Sequence, residues 1–485
     1  MKTKKAVHDA NPIAAAIAVI SAVVAMSAAA RTFEVAAWRG ETVAAKVPDF
    51  AEKGGTPPAG VEVRYGTIKS VKYAPEAFSL QRLEVFDRVV WNGSPGGCPR
   101  GEETCLRVVE IVVPKDAKPG MYRCGMMDIR VVDRILPPPK DWKYYLDLWQ
   151  HPFAVARIAG AKPFSKEHYA AMKPVWELLA TAGQKTITVP IVDLPWDHQC
   201  HDAYYSMIGD GDFRLFDEYV EFCTGCGLGP DIACYSLGPW PRSKAVDPGE
   251  MERQWGGLFD RFVAHLKDKG WFDRTVMAMD ERMIEDVVAI AEFVRRHAPG
   301  MRISMAGDHR PSRYKGIDID IYSHSLDPRY LNGGALQEAA ERAKKGFLTT
   351  FYVCGSPVRP NTLMDSGEGE AFWLGAAPAF MGLDGFLRWA WNSWPQDPVE
   401  DASFWRWRSG DTFLCYPGGE PSWRFLELRN GIVAAEKLRI LKESGAIDLQ
   451  MYGRVSAGYG DLRAAMDGRC NFPSVRRMTQ ELVNK

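Results

Sequence analysis

Between residues 144 and 391 the chain alternates short apolar runs with turn and helical segments, and this rhythm restricts the fold more than any other feature. Runs of strand character fall at 144–149, 186–192, 231–236, 275–279, 302–306, 317–322, 347–353 and 385–391. Helical patterns lie between them at about 166–182, 215–224, 250–269, 285–296 and 335–345, with another after Ser422. Eight strands alternating with helices over roughly 300 residues is the arithmetic of a (β/α)8 barrel. A doubly wound open sheet is the rival, but no glycine-rich phosphate loop follows the first strand.

The segment before the barrel has a different texture. Residues 31–138 are rich in valine and in short alternating runs such as Val61-Glu62-Val63-Arg64-Tyr65, broken by Gly, Pro and Asn turns, which favours an antiparallel β-sandwich. Pro137-Pro138-Pro139 cannot continue a strand and marks the boundary, so the barrel with a C-terminal helical closure is expected over 139–485. Ahead of both, Lys2, Lys4 and Lys5 precede an apolar run over 13–26 and the small residues Ser27-Ala28-Ala29-Ala30. This pattern reads as a signal peptide over 1–30 and predicts an exported protein, periplasmic or extracellular. An apolar run of about 14 residues is short of the roughly 20 that a spanning helix needs, and no other stretch is long and apolar enough.

Sixty Lys and Arg balance 61 Asp and Glu, so the chain has no electrostatic footprint for a phosphate backbone, and nucleic acid is not expected as a partner. Of the ten cysteines, Cys98 and Cys105 flank a Gly/Pro-rich loop and are the expected disulfide. Cys223-Thr-Gly-Cys226 has metal or redox spacing but no second such pair follows, and structural cysteines are expected there. His151, His198, His201, His309 and His324 lack a close ligand motif, which favours hydrogen bonding over zinc.

A barrel builds its site at the C-terminal ends of its strands, and those ends are chemically loaded. The first ends in Asp147-Leu148-Trp149-Gln150-His151, the fourth in Asp280-Glu281, the sixth in Tyr322-Ser323-His324, the seventh in Tyr352, and the eighth in Arg388-Trp389-Ala390-Trp391-Asn392-Ser393-Trp394. Two adjacent carboxylates after a buried strand are costly unless used, although the start of the following helix would also welcome them. Tryptophans beside carboxylate, amide and imidazole groups suit a sugar, which has apolar C–H faces and hydroxyls to satisfy. Alternation places Trp389 and Trp391 on one face, as core or as ligand contact, and Trp405 and Trp407 read as structural.

With these residues in hand, the chain resembles glycoside hydrolase family 123, the exo-acting N-acetyl-β-galactosaminidases. The resemblance rests on Leu146-Asp147-Leu148-Trp149-Gln150-His151-Pro152, Gly183-Gln184-Lys185-Thr186-Ile187-Thr188, Asp280-Glu281, Trp389-Ala390-Trp391-Asn392 and the run from Gly410 to Gly418, and covers nearly the whole chain after the leader. It implies a β-sandwich followed by a (β/α)8 barrel, and retaining hydrolysis in which the substrate's own 2-acetamido group is the nucleophile. Asp280 would orient the acetamide and Glu281 would act as acid and then base. Tyr352 would donate to the acetamide carbonyl, Trp391 and Trp394 would wall the sugar pocket, and Trp149, His324 and Asn392 would be ring or hydroxyl partners. The implied partner is a glycan ending in N-acetylhexosamine, and neither metal nor cofactor enters this chemistry. An N-acetyl-β-glucosaminidase, a catalytically silent carbohydrate-binding protein and a metal-dependent hydrolase are the alternatives.

Overall fold

The computed structural model describes residues 33–47, 57, 59–92, 106–125, 127–196, 199–237, 246–314 and 316–485. The expected leader and the Cys98–Cys105 pair lie outside the described residues. The N-terminal strands form two sheets. One joins β1 (Phe33–Arg39), β7 (Met127–Ile135) and β6 (Gly120–Cys124), and the other joins β2 (Thr42–Val47), β5 (Leu106–Val112), β3 (Glu62–Tyr73) and β4 (Leu83–Asn92). All pairings are antiparallel except β1 with β7, which run parallel.

β5 shows why its sequence is apolar almost throughout. Val109 and Ile111 pack between the two sheets, while Val108 on the opposite face enters the core that continues into the barrel. A sheet covered on both faces needs apolar residues at successive positions.

The barrel has the expected eight strands, with the sixth starting four residues later than expected and the eighth ending at Arg388: β8 (Tyr145–Leu148), β9 (Thr186–Pro190), β10 (Asp231–Tyr235), β11 (Thr275–Met279), β12 (Arg302–Gly307), β13 (Ile321–Ser325), β14 (Leu348–Tyr352) and β15 (Gly385–Arg388), each parallel to its neighbour. The helices around it are α1 (Pro152–Ala159), α2 (Lys166–Ala180), α3 (Arg214–Gly225), α4 (Pro248–Asp268), α5 (Ile284–His297), α6 (Gly333–Ala343), α7 (Glu370–Met381) and α8 (Trp423–Glu443). Among the described residues, no helix is long and apolar enough to cross a membrane.

Two details set the barrel's closure. Gly385 begins β15 where an added Cβ would lie 1.9 Å from the Tyr145 carbonyl oxygen, so only glycine lets β15 reach β8. Between β8 and β9, side chains supplement a single backbone bridge between Leu146 and Gln184. The Leu148 N–H donates to Gln184 Oε1 at 3.0 Å, Gln184 Nε2 donates to the Leu148 carbonyl at 3.1 Å, and the Thr188 N–H donates to Gln150 Oε1 at 2.8 Å.

Helix α8 joins the two layers. Its Arg424 pairs with Asp87 of β4 through two contacts of 3.0 Å, Arg429 pairs with Glu110 of β5, and Lys437 pairs with Glu41 just before β2. All six side chains are buried. Burial pushes the Glu110 carboxyl up, but Arg429 and Arg64 outweigh it and hold the group below its usual range. Removing one partner of such a pair strands the other charge away from water. Asp87→Ala is therefore expected to lower unfolding stability by about 3–5 kcal/mol in urea titrations, and an unchanged midpoint would refute a structural role for the pair.

Candidate active site

β11 is buried along its whole length and delivers Asp280 and Glu281 at the C-terminal mouth of the barrel. The helix after it starts only at Ile284, with Met283 as an N-cap that makes no side-chain capping bond and Glu285 and Asp286 as the acids of its first turn. Capping thus leaves Asp280 and Glu281 unexplained. Asp280 Oδ1 accepts from the Glu281 N–H at 2.8 Å. Glu281 Oε1 accepts from the Tyr352 hydroxyl at the end of β14. Burial first, and then the facing Glu281 carboxylate, hold the Tyr352 phenol well above its ordinary pKa, so it remains a donor.

These three side chains lie in a cleft of about 570 Å³, counting its open mouth. Trp149, Trp196, Trp389 and Trp407 wall it, with Ala306, Leu387, Gln199 and Cys354 completing the lining. Trp149 stacks against Trp196 at 5.4 Å and lies 4.7 Å from Tyr235, ring to ring. Trp389 and Trp407 meet at 5.4 Å, and the Trp407 indole N–H donates to the Gln199 carbonyl at 2.9 Å, tying the loop after β15 to the loop after β9.

Trp389 is fixed at both ends. Its indole N–H donates to Asp411 Oδ1 at 3.2 Å, and its carbonyl oxygen lies 3.0 Å from His151 Nε2. A carbonyl only accepts, so His151 carries its proton on Nε2 and leaves Nδ1 to accept from the Tyr204 hydroxyl. Burial lowers the His151 pKa to about 4 and keeps the ring neutral. Asp411 is held in turn by the fully buried Arg388, at 2.9 Å. Arg388 also donates to the carbonyls of Val353 and Gly410, each at 3.2 Å.

Of the residues expected from sequence, Asp280, Glu281, Trp149 and Tyr352 meet in this cleft. Asn392 stands behind it, accepting from the His151 N–H at 2.9 Å and donating to the His151 carbonyl at 3.0 Å. Trp391, Trp394 and His324 are not brought to the cleft. The β15 ladder ends at Arg388, so strand alternation no longer applies beyond it. Trp391 turns toward Phe425 of α8 at 4.7 Å, and the Trp394 indole N–H donates to the Cys415 carbonyl at 2.6 Å. On β13, Tyr322 and His324 share the face turned to the helices, their rings 4.8 Å apart, and burial drives the His324 pKa down to about 3. Trp407, expected to be structural, lines the cleft instead, and Trp389 serves as a wall. Trp196, Gln199 and Cys354 also belong to the lining, on loops where no periodicity marks an inward side. Among the described residues no cluster of His, Cys, Asp or Glu could hold a metal ion, and Cys223 and Cys226 are buried at the end of α3.

The description "glycoside hydrolase 123, catalytic domain" matches residues 149–441. A family 123 glycoside hydrolase from Clostridium perfringens, whose structure was determined for glycolipid glycan hydrolysis, superposes with a TM-score of 0.75 at 19% identity, covering 93% of this chain and 95% of that one. A bacterial Ig-like domain containing GH10 xylanase from termite gut is a looser match, with a TM-score of 0.36 at 12% identity over 85% of this chain and 99% of the other. Among curated proteins no sequence matches.

Two of the buried histidines, His151 and His324, carry a pH signature. Their folded pKa values, about 4 and about 3, lie below the 6.5 of an exposed imidazole, so the unfolded chain binds protons first and stability falls as pH drops below 6.5. Each contributes a loss on the order of 3 kcal/mol by pH 4. Urea midpoints should decline from pH 6.5 to 4, and His324→Phe should make that decline shallower; an equal slope in the variant would contradict the assignment.

Proposed function

The chain belongs to glycoside hydrolase family 123, and on that footing we propose that it releases terminal β-linked N-acetylgalactosamine by substrate-assisted, retaining catalysis. The observation that carries this reading is the placement of the acids. Asp280 and Glu281, adjacent in the chain, are the only carboxylates among the described residues lining the cleft. A retaining enzyme with its own nucleophile needs two carboxylates facing each other across the scissile bond, about 5 Å apart, and an inverting one needs them farther apart to admit water. Two neighbours on one strand end are poorly placed to flank the bond from opposite faces, which supports a nucleophile supplied by the substrate.

In the first step the acetamide carbonyl oxygen attacks C1 while Glu281 gives its proton to the leaving oxygen, and the C1–O bond breaks. Asp280 accepts the acetamide N–H and offsets the positive charge that develops on the oxazolinium ring. In the second step Glu281 takes a proton from water as the water attacks C1, and the bond between C1 and the acetamide oxygen breaks, which returns the acetamide and restores the β-configuration. Tyr352, whose hydroxyl donates to Glu281, is placed to donate to the acetamide carbonyl and aim the nucleophile. The four tryptophans pack on the sugar's C–H faces and exclude water from the intermediate. Asn392 takes part through His151 rather than through the sugar. The leader-like pattern of residues 1–30 supports export, to the periplasm or beyond the cell, as part of this reading.

The reading is tested with nitrophenyl β-glycosides of N-acetylgalactosamine, N-acetylglucosamine and galactose, together with a thiazoline analogue of the oxazoline. The first is expected to be hydrolysed fastest and the thiazoline to inhibit; equal turnover of plain galactoside would sink the mechanism. Glu281→Gln should lose roughly 10²–10⁴-fold in kcat on unactivated glycosides. Asp280→Asn should slow the reaction even with a nitrophenol leaving group, and full activity in either variant would refute its role.

A further inference from the structure

Outside the cleft, a second aromatic surface has no part in the chemistry above. Phe404 and Trp407 are bridged antiparallel, and the Trp407 N–H donates to the Phe404 carbonyl at 3.0 Å, so residues 404–407 form a tight turn. Trp407 lines the cleft, whereas Trp405, at the tip of the same turn, is 59% exposed. An open indole offers a large, flat apolar area for a ligand to cover.

The Trp405 ring is held firmly despite its exposure. The Arg406 guanidinium lies over it at 4.7 Å, the Phe78 ring is 5.6 Å away at 54°, and the Phe404 ring is 6.4 Å away. The support comes from the N-terminal unit: the Phe78 N–H donates to the Trp405 carbonyl at 3.2 Å. Phe78 reaches this position at φ +65°, a left-handed conformation that an aromatic residue rarely adopts, and is itself 67% exposed. Leu80, two residues along the chain from Phe78, is 95% exposed. Arg82 and Asp401, paired at 2.9 Å at the edge of this surface, add a donor and an acceptor.

We infer that Trp405, propped by Phe78 and flanked by Arg406, is a stacking platform for the sugar that follows the cleaved residue, so that the enzyme selects glycans whose leaving group is itself a pyranose. The inference rests on the glycosidase reading above. A rigid, exposed indole one tight turn from the cleft wall offers an apolar face to the ring's C–H groups, and Arg406 supplies donors to its hydroxyls. A lipid surface is the competing occupant of exposed aromatics. The mixed Arg82–Asp401 rim and the inward-facing partner Trp407 favour a polar ligand continuous with the cleft.

The test compares KM for a β-N-acetylgalactosaminyl disaccharide with KM for the methyl β-glycoside of N-acetylgalactosamine, in wild type, Trp405→Ala and Trp405→Phe. The ratio of the two KM values should rise about ten-fold in Trp405→Ala, the size of one lost stacking contact, and should recover in part in Trp405→Phe. An unchanged ratio would overturn the platform. A matching loss of thiazoline affinity would overturn it too, since the thiazoline reaches only the cleft and would report damage there. Sedimentation with phosphatidylcholine vesicles that Trp405→Ala abolishes would assign the surface to lipid instead. If the wild type cleaves neither substrate, the glycosidase specificity proposed above fails first and this inference with it.

Discussion

The Asp87–Arg424 pair carries the organisation of this molecule. A guanidinium removed from water is tolerated only when nearly every N–H has an acceptor, and Arg424 meets that demand from both halves of the chain. It takes the Asp87 carboxylate of the N-terminal sheet and the carbonyls of Thr362, Gly410 and Phe413 from the loops above the barrel. The Gly410 carbonyl also accepts from Arg388, whose partner Asp411 fixes the indole of Trp389. An unbroken run of buried polar contacts thus leads from a strand far from the chemistry to a wall of the cleft. Hydrophobic burial could hold the layers together, but only directional bonds of this kind fix the angle of an indole.

The same logic accounts for the floor of the site. Asp280 and Glu281 gain their value from what surrounds them: a wholly buried strand behind, a phenol kept protonated by burial, and tryptophans that thin the water around the pair. Lower local water content strengthens each charge-dependent contact with a substrate, and the hydrogen bonds that already orient the indoles of Trp389 and Trp407 reduce the reorganisation needed as charge develops.

Much of this is legible in the amino-acid sequence. The eight strands stand out because a barrel strand is buried on both sides and its sequence must be a short apolar run, and the acid pair stands out because carboxylates directly after such a run are expensive. What was hidden is the direction of side chains once a ladder stops. Trp389 and Trp391 are two residues apart and would share a face in a continuing strand, yet the pairing ends at Arg388 and they part, one to the cleft and one to α8. His324 was misplaced for a related reason: its strand persists, but the inward residue is its neighbour Ser323, and a histidine on the helix side looks the same in sequence. Trp407 was masked because its position depends on a bond to Gln199, a partner 208 residues away.

The seam between β8 and β9 has a consequence for shape. Seven joints of the barrel are backbone ladders, whose spacing is dictated by the peptide unit and is the same in every protein. The eighth keeps one backbone bridge, Leu146 to Gln184, and beyond it the strands are held by a clasp of glutamine amides, whose side-chain length helps to set the span. Trp149 follows the strand on one side of that clasp and Trp196 the strand on the other. These two indoles stack on each other at one side of the cleft, so the seating of that stacked pair depends on residues such as Gln150 and Gln184 that no ligand needs to touch.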